Sequence, residues 1–113
     1  MSSASDNQDS YKLVFFTPPL DLQKITSAIF STGAGTYGNY SEVCFTIPGI
    51  GQFKPGAGTN PTIGQPEKLE EVGEVRCEIR CQGKDQTKRA AAALKSAHPY
   101  EEVAYEVYKI EHL

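Results

Sequence analysis

The sequence predicts an α+β domain on the ferredoxin-like βαββαβ plan: a four-stranded antiparallel sheet with two helices on one face and a long Gly/Pro-rich loop. Three observations predict it. Four stretches carry strand patterns and two carry helical periodicity. Their order, strand, helix, strand, loop, strand, helix, strand, repeats one half-unit twice. The length of 113 residues suits one domain with a real core and is too short for two.

Residues 1–10 are Ser-, Asp-, Asn- and Gln-rich with almost nothing to bury, so they are expected to form a disordered tail, with a single domain over residues 11–113. YKLVFFT at 11–17 is a short, nearly continuous apolar run, as in a strand central in its sheet. Pro18 and Pro19 end it. In DLQKITSAIFST at 21–32, Leu22, Ile25 and Ile29 fall at helical spacing, with Asp21 placed to cap the start and Gly33 where helices leave right-handed geometry. Val43, Phe45 and Ile47 alternate as a second strand. From Pro48 to Pro66, glycine and proline dominate, which reads as a long loop. Val75, Cys77, Ile79 and Cys81 alternate with Glu74, Arg76, Glu78 and Arg80, giving one buried face and one charged face able to pair across strands. Asp85 is placed to cap a helix over QTKRAAAALKSA at 86–97, whose alanines permit close packing on a sheet. Pro99 ends that helix, and the last strand runs over about Val103–Ile110.

The net charge of −3 comes from interleaved residues of both signs, so no footprint for nucleic acid or an anionic membrane is present. No apolar run reaches the roughly 18–20 residues of a membrane span, and no signal-peptide pattern stands at the N-terminus. Cys44, Cys77 and Cys81 show neither CxxC spacing nor a disulfide framework, and are expected to be reduced, buried structural thiols of a cytoplasmic protein. A metal or redox role is the alternative.

Two helix-to-strand corners gather the candidate functional residues. Residues 33–40 hold Gly33, Gly35, Gly38, Asn39 and Tyr40, where glycine density implies positive φ or close backbone approach. Bare amides there could line a ligand or subunit contact, or the segment could simply be a tight connection. Residues 98–102 hold His98, Tyr100, Glu101 and Glu102, the densest set of acid, base and hydrogen-bonding groups in the chain. The two corners occupy equivalent places in the two halves and are expected at the same end of the sheet. A phosphate loop is not indicated, since GxxxxGK[ST] is missing and prolines occupy the first strand-to-helix turn.

GAGTYGNY at 33–40, GQFKPGAGTNPTIG at 51–64, EVRCEIR at 74–80 and HPYEEVAYEVY at 98–108, in this order, resemble the PII/CutA-like domain inserted within YqfO (Nif-three-like) proteins. The resemblance runs from about Tyr11 to Ile110, and the chain resembles that insert standing alone. Two positions depart from the family's pattern, which usually has an aliphatic residue at Tyr37 and Asp at Glu106. The resemblance implies the fold shared with PII signalling proteins and CutA, which form trimers with clefts between subunits. In full-length YqfO-like proteins a pair of metal ions is held by His, Asp and Glu residues of two flanking lobes, and a cyclohydrolase-type activity is attached to them. Those lobes are absent from this sequence, and His98 and His112 cannot replace them, so the dinuclear-metal function does not carry over.

The leading expectation is therefore a homo-oligomeric binding or regulatory module, trimer favoured. Its cleft would be lined by both corners and the long loop, with a small molecule or protein as partner and with no resident cofactor, nucleic acid or membrane. An enzyme using His98 with Glu101 or Glu102, a single-metal-binding protein, and a purely structural or partner-docking protein are the alternatives. In the structural reading of the second corner, His98 caps the helix end and the carboxylates form ordinary ion pairs.

Overall fold

The computed structural model describes residues 9–113. Its elements are β1 (Ser10–Thr17), α1 (Leu22–Phe30), β2 (Phe45–Phe53), β3 (Glu70–Gln82), α2 (Gly83–Ala97) and β4 (Tyr105–Ile110), with a single 3₁₀ turn at Pro19–Asp21 ahead of α1. The strands form one sheet in the order β2-β3-β1-β4, and every neighbouring pair is antiparallel. This is the expected βαββαβ plan, with β1 central.

The register explains the core. Leu13 lies opposite Ile79 and Phe15 opposite Cys77, so these side chains share the helix-covered face and pack with Ile25, Ile29, Ala90 and Leu94. Burying them removes most of their apolar surface from water, worth roughly 1.5–3 kcal/mol for each large side chain. Cys77 and Cys81 belong to this core as free thiols, and burial pushes them up to about 12 and about 11 respectively. Cys44, expected to be buried with them, is exposed, because it precedes the edge strand β2.

The opposite face carries the charged side of β3. Lys12 Nζ lies 3.5 Å from Glu78 Oε1 and Arg76 Nε 3.1 Å from Glu78 Oε2, while the Arg76 guanidinium stands 5.8 Å from the centre of the Phe16 ring. The hydrogen bond from Arg76, then the charge of Lys12, hold the Glu78 carboxyl below its ordinary value. Residues paired in the register share a face, which places Phe45, Ile47 and Tyr108 here too. They are 63%, 44% and 49% exposed. Val75, Cys77 and Ile79, on the other face of β3, are buried, so the exposed apolar strand surface sits on the edge strands.

Several local expectations need correction. Asp21 has helical dihedrals and no side-chain capping bond to α1, because the 3₁₀ turn already supplies the start of the helix. α2 begins at Gly83, with Gln82 before it; Gln86 Oε1 accepts the Gln82 N–H at 2.7 Å, and Asp85 lies inside the first turn. β2 does not stop at Pro48 but pairs with β3 through Phe53. Proline lacks a donor and is tolerated where a strand has a free edge, which β2 has. The loop is thereby shortened to residues 54–69. Asp9 and Ser10 belong to the fold rather than to a tail: Ser10 is 2% exposed and donates from Oγ to Gln82 Oε1 at 2.9 Å, and the Asp9 carbonyl accepts the Gly83 N–H at 2.7 Å. The rest of the expected tail, residues 1–8, lies outside the described residues.

β3 spans 13 residues against 8 for β1. Its first part pairs only with β2, so the two form a ribbon that projects past the helix-backed sheet. The molecule is accordingly 47 Å long and 27 Å across.

Candidate functional site: a groove beneath the ribbon loop

Pro99 forces His98 into extended geometry, with φ −77° and ψ 139°, while the His98 N–H still closes the helix on Leu94 O at 3.0 Å. The buried imidazole then faces the end of β1. Nε2 lies 2.7 Å from Phe16 O, and Nδ1 accepts the Tyr100 N–H at 3.1 Å. These roles fit the tautomer with hydrogen on Nε2, which donates to Phe16 O. His98 is thus committed at both nitrogens and pins the corner to the sheet.

The pinned corner forms one wall of a groove of about 710 Å³, with Tyr100, Glu101, Glu102 and Ala104 lining it. The ribbon supplies Ile47 to Phe53 along β2 together with Glu74 and Arg76, and the loop residues Lys54, Pro55, Thr59, Pro61, Thr62 and Ile63 close the far side. Thr62 Oγ1 donates to Pro99 O at 3.3 Å, joining loop to corner. That volume falls in the range of small-molecule sites, roughly 300–1,000 Å³.

Two groups in the groove are electrostatically unusual. Burial raises the Glu74 carboxyl above its ordinary value. Its carboxylate lies across Gly51, where any Cβ would collide with it. The Tyr100 hydroxyl is buried without a hydrogen-bond partner; burial, then the charges of Glu74 and Asp21, raise it. An orphan buried polar group costs on the order of 1–3 kcal/mol and calls for an explanation.

The other corner is elsewhere. The Gly35 N–H donates to Arg80 O at 2.8 Å, next to the Ser10–Gln82 end of the sheet, whereas His98 meets Phe16 at the Thr17–Val75 end. Because β1 and β2 run parallel, as do β3 and β4, the two corners must lie at opposite ends, which overturns the expectation of one shared site. Gly33, Gly35 and Gly38 all have positive φ, and Tyr37 and Tyr40 exchange two backbone bonds of 2.8 and 3.0 Å around the Gly38-Asn39 turn. The Arg80 guanidinium stands 5.0 Å from the Tyr37 ring centre.

Of the sequence candidates, the structure therefore brings Tyr100, Glu101 and Glu102 into the groove, holds His98 behind them, and leaves Gly33, Gly35, Gly38, Asn39 and Tyr40 apart. Sequence reasoning missed Ile47, Glu74 and Arg76 as lining residues, whereas Ile50 and Phe53 fall within the loop expected to line a cleft and line it from β2 instead. The available signal was Pro48 inside an otherwise strand-like run, which marks a free edge. Among the described residues no three His, Cys, Asp or Glu side chains are grouped to hold a metal ion, and His98 has no nitrogen to spare. The residues present do not fit a dinuclear metal pair.

Fold and groove together define a small CutA-like α+β domain. CutA from Xylella fastidiosa superposes with a TM-score of 0.69 over 93% of this chain and 86% of its own, at 14% identity, a likeness of fold. In sequence the chain is similar to one stretch of NIF3-related, YqfO-like proteins. It is 44% identical over 100 residues, 88% of its length, to a GTP cyclohydrolase 1 type 2 homolog of Halalkalibacterium halodurans, of which it covers 27%. A Bacillus cereus protein related to NIF3 superposes with a TM-score of 0.80 at 35% identity, over 93% of this chain and 26% of that one. The chain thus spans about a quarter of the length of the relatives it matches. No family model matches it.

Proposed function

We propose that this domain is a small-molecule-binding regulatory module that works as a closed oligomer, trimer favoured, in the cytoplasm. The observation that carries the reading is the groove, which unites the long loop, the ribbon and residues 100–102 around a volume of small-molecule size. Exposed Phe45, Ile47 and Tyr108 on the helix-free face, with the open outer edges of β2 and β4, support assembly. No helix among the described residues is long and apolar enough to cross a membrane. Enzymatic use of His98 is disfavoured, because a general base needs a free nitrogen within reach of substrate, and this imidazole is buried with both nitrogens bonded. The cyclohydrolase name belongs to relatives about four times as long.

Thermal melting against a small-molecule panel tests the reading, since a ligand of the folded state adds RT ln(1 + [L]/Kd). The expected result is stabilisation that is lost in Ile50→Ser, a change at a groove residue that is 77% exposed. Light scattering at micromolar concentration should give a multiple of the 12.3 kDa chain mass, with interfaces burying at least about 1,000 Å². A monomer throughout, or ligand effects indifferent to Ile50, would defeat the corresponding half of the reading.

A further inference from the structure

We infer that Cys44 and Cys77 form a thiol pair that a low-molecular-weight disulfide converts into an intrachain disulfide, with Cys44 as the residue that reacts first. This does not depend on the groove being a ligand site. The register brings the two together. Thr46 lies opposite Cys77, and residues two apart in an extended chain share a face, so Cys44 stands on the helix-covered side with Cys77. Phe45 and Glu78 are the first pair of the β2 ladder. Beyond them Gly35, rather than Cys44, donates to Arg80 O, so the chain at Cys44 parts from β3 at the rim of the sheet. There the Cys77 S–H donates to the Cys44 sulfur. One thiol of the pair is exposed and the other is fully buried.

That asymmetry orders the chemistry. Cys44 meets solvent and Cys77 does not, so a small disulfide in solution reaches Cys44 alone. Cys44 gives its proton to water and its thiolate attacks one sulfur of the small disulfide; that S–S bond breaks, and one small thiol leaves after taking up a proton. The mixed disulfide on Cys44 now lies beside the Cys77 sulfur. Cys77 loses its proton to water and attacks Cys44 Sγ, and the second small thiol leaves with a proton. The protein pair has lost two electrons and the small disulfide has gained them. Burial, then the Cys44 thiol beside it, holds Cys77 up at about 12, so the second step is slow at neutral pH and quickens as the pH rises. Cys81 is buried too, but its thiol lies against Thr87 instead. A disulfide brings its sulfurs to roughly 2.05 Å. Because Cys44 stands ahead of the first ladder pair, that closure moves a connecting residue and leaves the register of β2 on β3 in place.

The experiment treats the full, reduced chain with oxidised glutathione, blocks the remaining thiols, and follows intact mass and peptide maps. The expected result is one glutathione on Cys44, which then leaves as a peptide linking Cys44 to Cys77 grows. Between about pH 7 and about pH 9 this second step should quicken about tenfold for each pH unit, as the thiolate of a group far above that range does. Cys81→Ser should behave as the parent, Cys77→Ala should keep its glutathione on Cys44, and Cys44→Ser should take up none while folded, with circular dichroism checking each fold. Where a variant does not fold, the peptide map of the parent decides alone. No reaction at Cys44, a glutathione that stays there at about pH 9, a link to Cys81, or a bridge between Cys44 residues of two chains would each overturn the pair. So would a Cys44–Cys77 link that forms only after unfolding in urea.

Discussion

The two helix-to-strand corners occupy equivalent places in the two halves of the fold and are closed by different means. Residues 33–40 are held mainly by backbone: Gly35 sits with φ +81°, donates to Arg80 O and accepts the Val43 N–H at 2.8 Å. Residues 98–104 are held by a side chain, the His98 imidazole bridging Phe16 O and the Tyr100 N–H. Where the backbone does the closing, side chains such as Tyr37 and Tyr40 are left exposed and do not line the groove. Where an imidazole does it, the residues just beyond are fixed against a groove. Equivalent topology therefore does not give equivalent chemistry.

The largest expected effect falls on the backbone-closed corner. A Cβ at Gly35 would lie 2.6 Å from the Phe30 ring and 3.1 Å from Val43 O, at a φ of +81°. Gly35→Ala should cost about 3 kcal/mol in urea unfolding, the sum of left-handed strain and overpacking. Ligand binding in the groove, at the other end of the sheet, should persist wherever the variant is folded. A loss below about 1 kcal/mol would mean that the corner yields easily.

His98→Ala attacks the other corner and should cost about 2 kcal/mol, because Phe16 O and the Tyr100 N–H lose their partner in a mostly buried place. Unlike Gly35→Ala, it should also weaken groove binding by loosening Tyr100. If stability falls and groove binding is untouched, the imidazole holds the fold without positioning the site.

Much of this fold was legible because strand patterns and register agree. The alternation of β3 separates Cys77, Ile79 and Cys81 from Glu78 and Arg80, and the folded sheet puts the first set under the helices. Proline at 99 correctly placed the end of α2. What was illegible depended on partners distant in sequence. The continuation of β2 past Pro48 is decided by pairing with Glu70–Glu74, and glycines at 49 and 51 hide a strand that its partner enforces. Glu74 reads as one more charge on an alternating strand; only the folding back of the loop onto Pro99 makes it part of a groove wall. The error about the two corners was one of direction: both follow helices, but those helices run oppositely along the sheet.

A smaller effect tests the end of the sheet that the glycine corner shares. A chain beginning at Tyr11 lacks Ser10, whose Oγ bonds to Gln82 and accepts from Arg80 at 3.3 Å, and the Asp9 carbonyl that starts α2. Compared with a chain beginning at Asp9, it should lose about 1.5 kcal/mol, three part-exposed hydrogen bonds at roughly 0.5 kcal/mol each. Equal melting of the two would show that Arg80 and Gly83 find water as good a partner.

The smallest effect sharpens the groove itself. Burial raises Glu74 above its ordinary 4.5, so the folded chain holds that proton more tightly than the unfolded chain does. Below about pH 4.5 both states are protonated and the site contributes its full stability. As the pH rises through the raised folded value, that contribution is lost, because ionisation favours the unfolded chain. Glu74→Gln cannot ionise. Its melting temperature should match that of the parent near pH 4 and exceed it slightly at pH 7, the gap opening between those limits and then levelling. A variant less stable than the parent at pH 7 would mean that the carboxylate makes favourable contacts in the free protein, and that the groove does not hold it in waiting for a ligand.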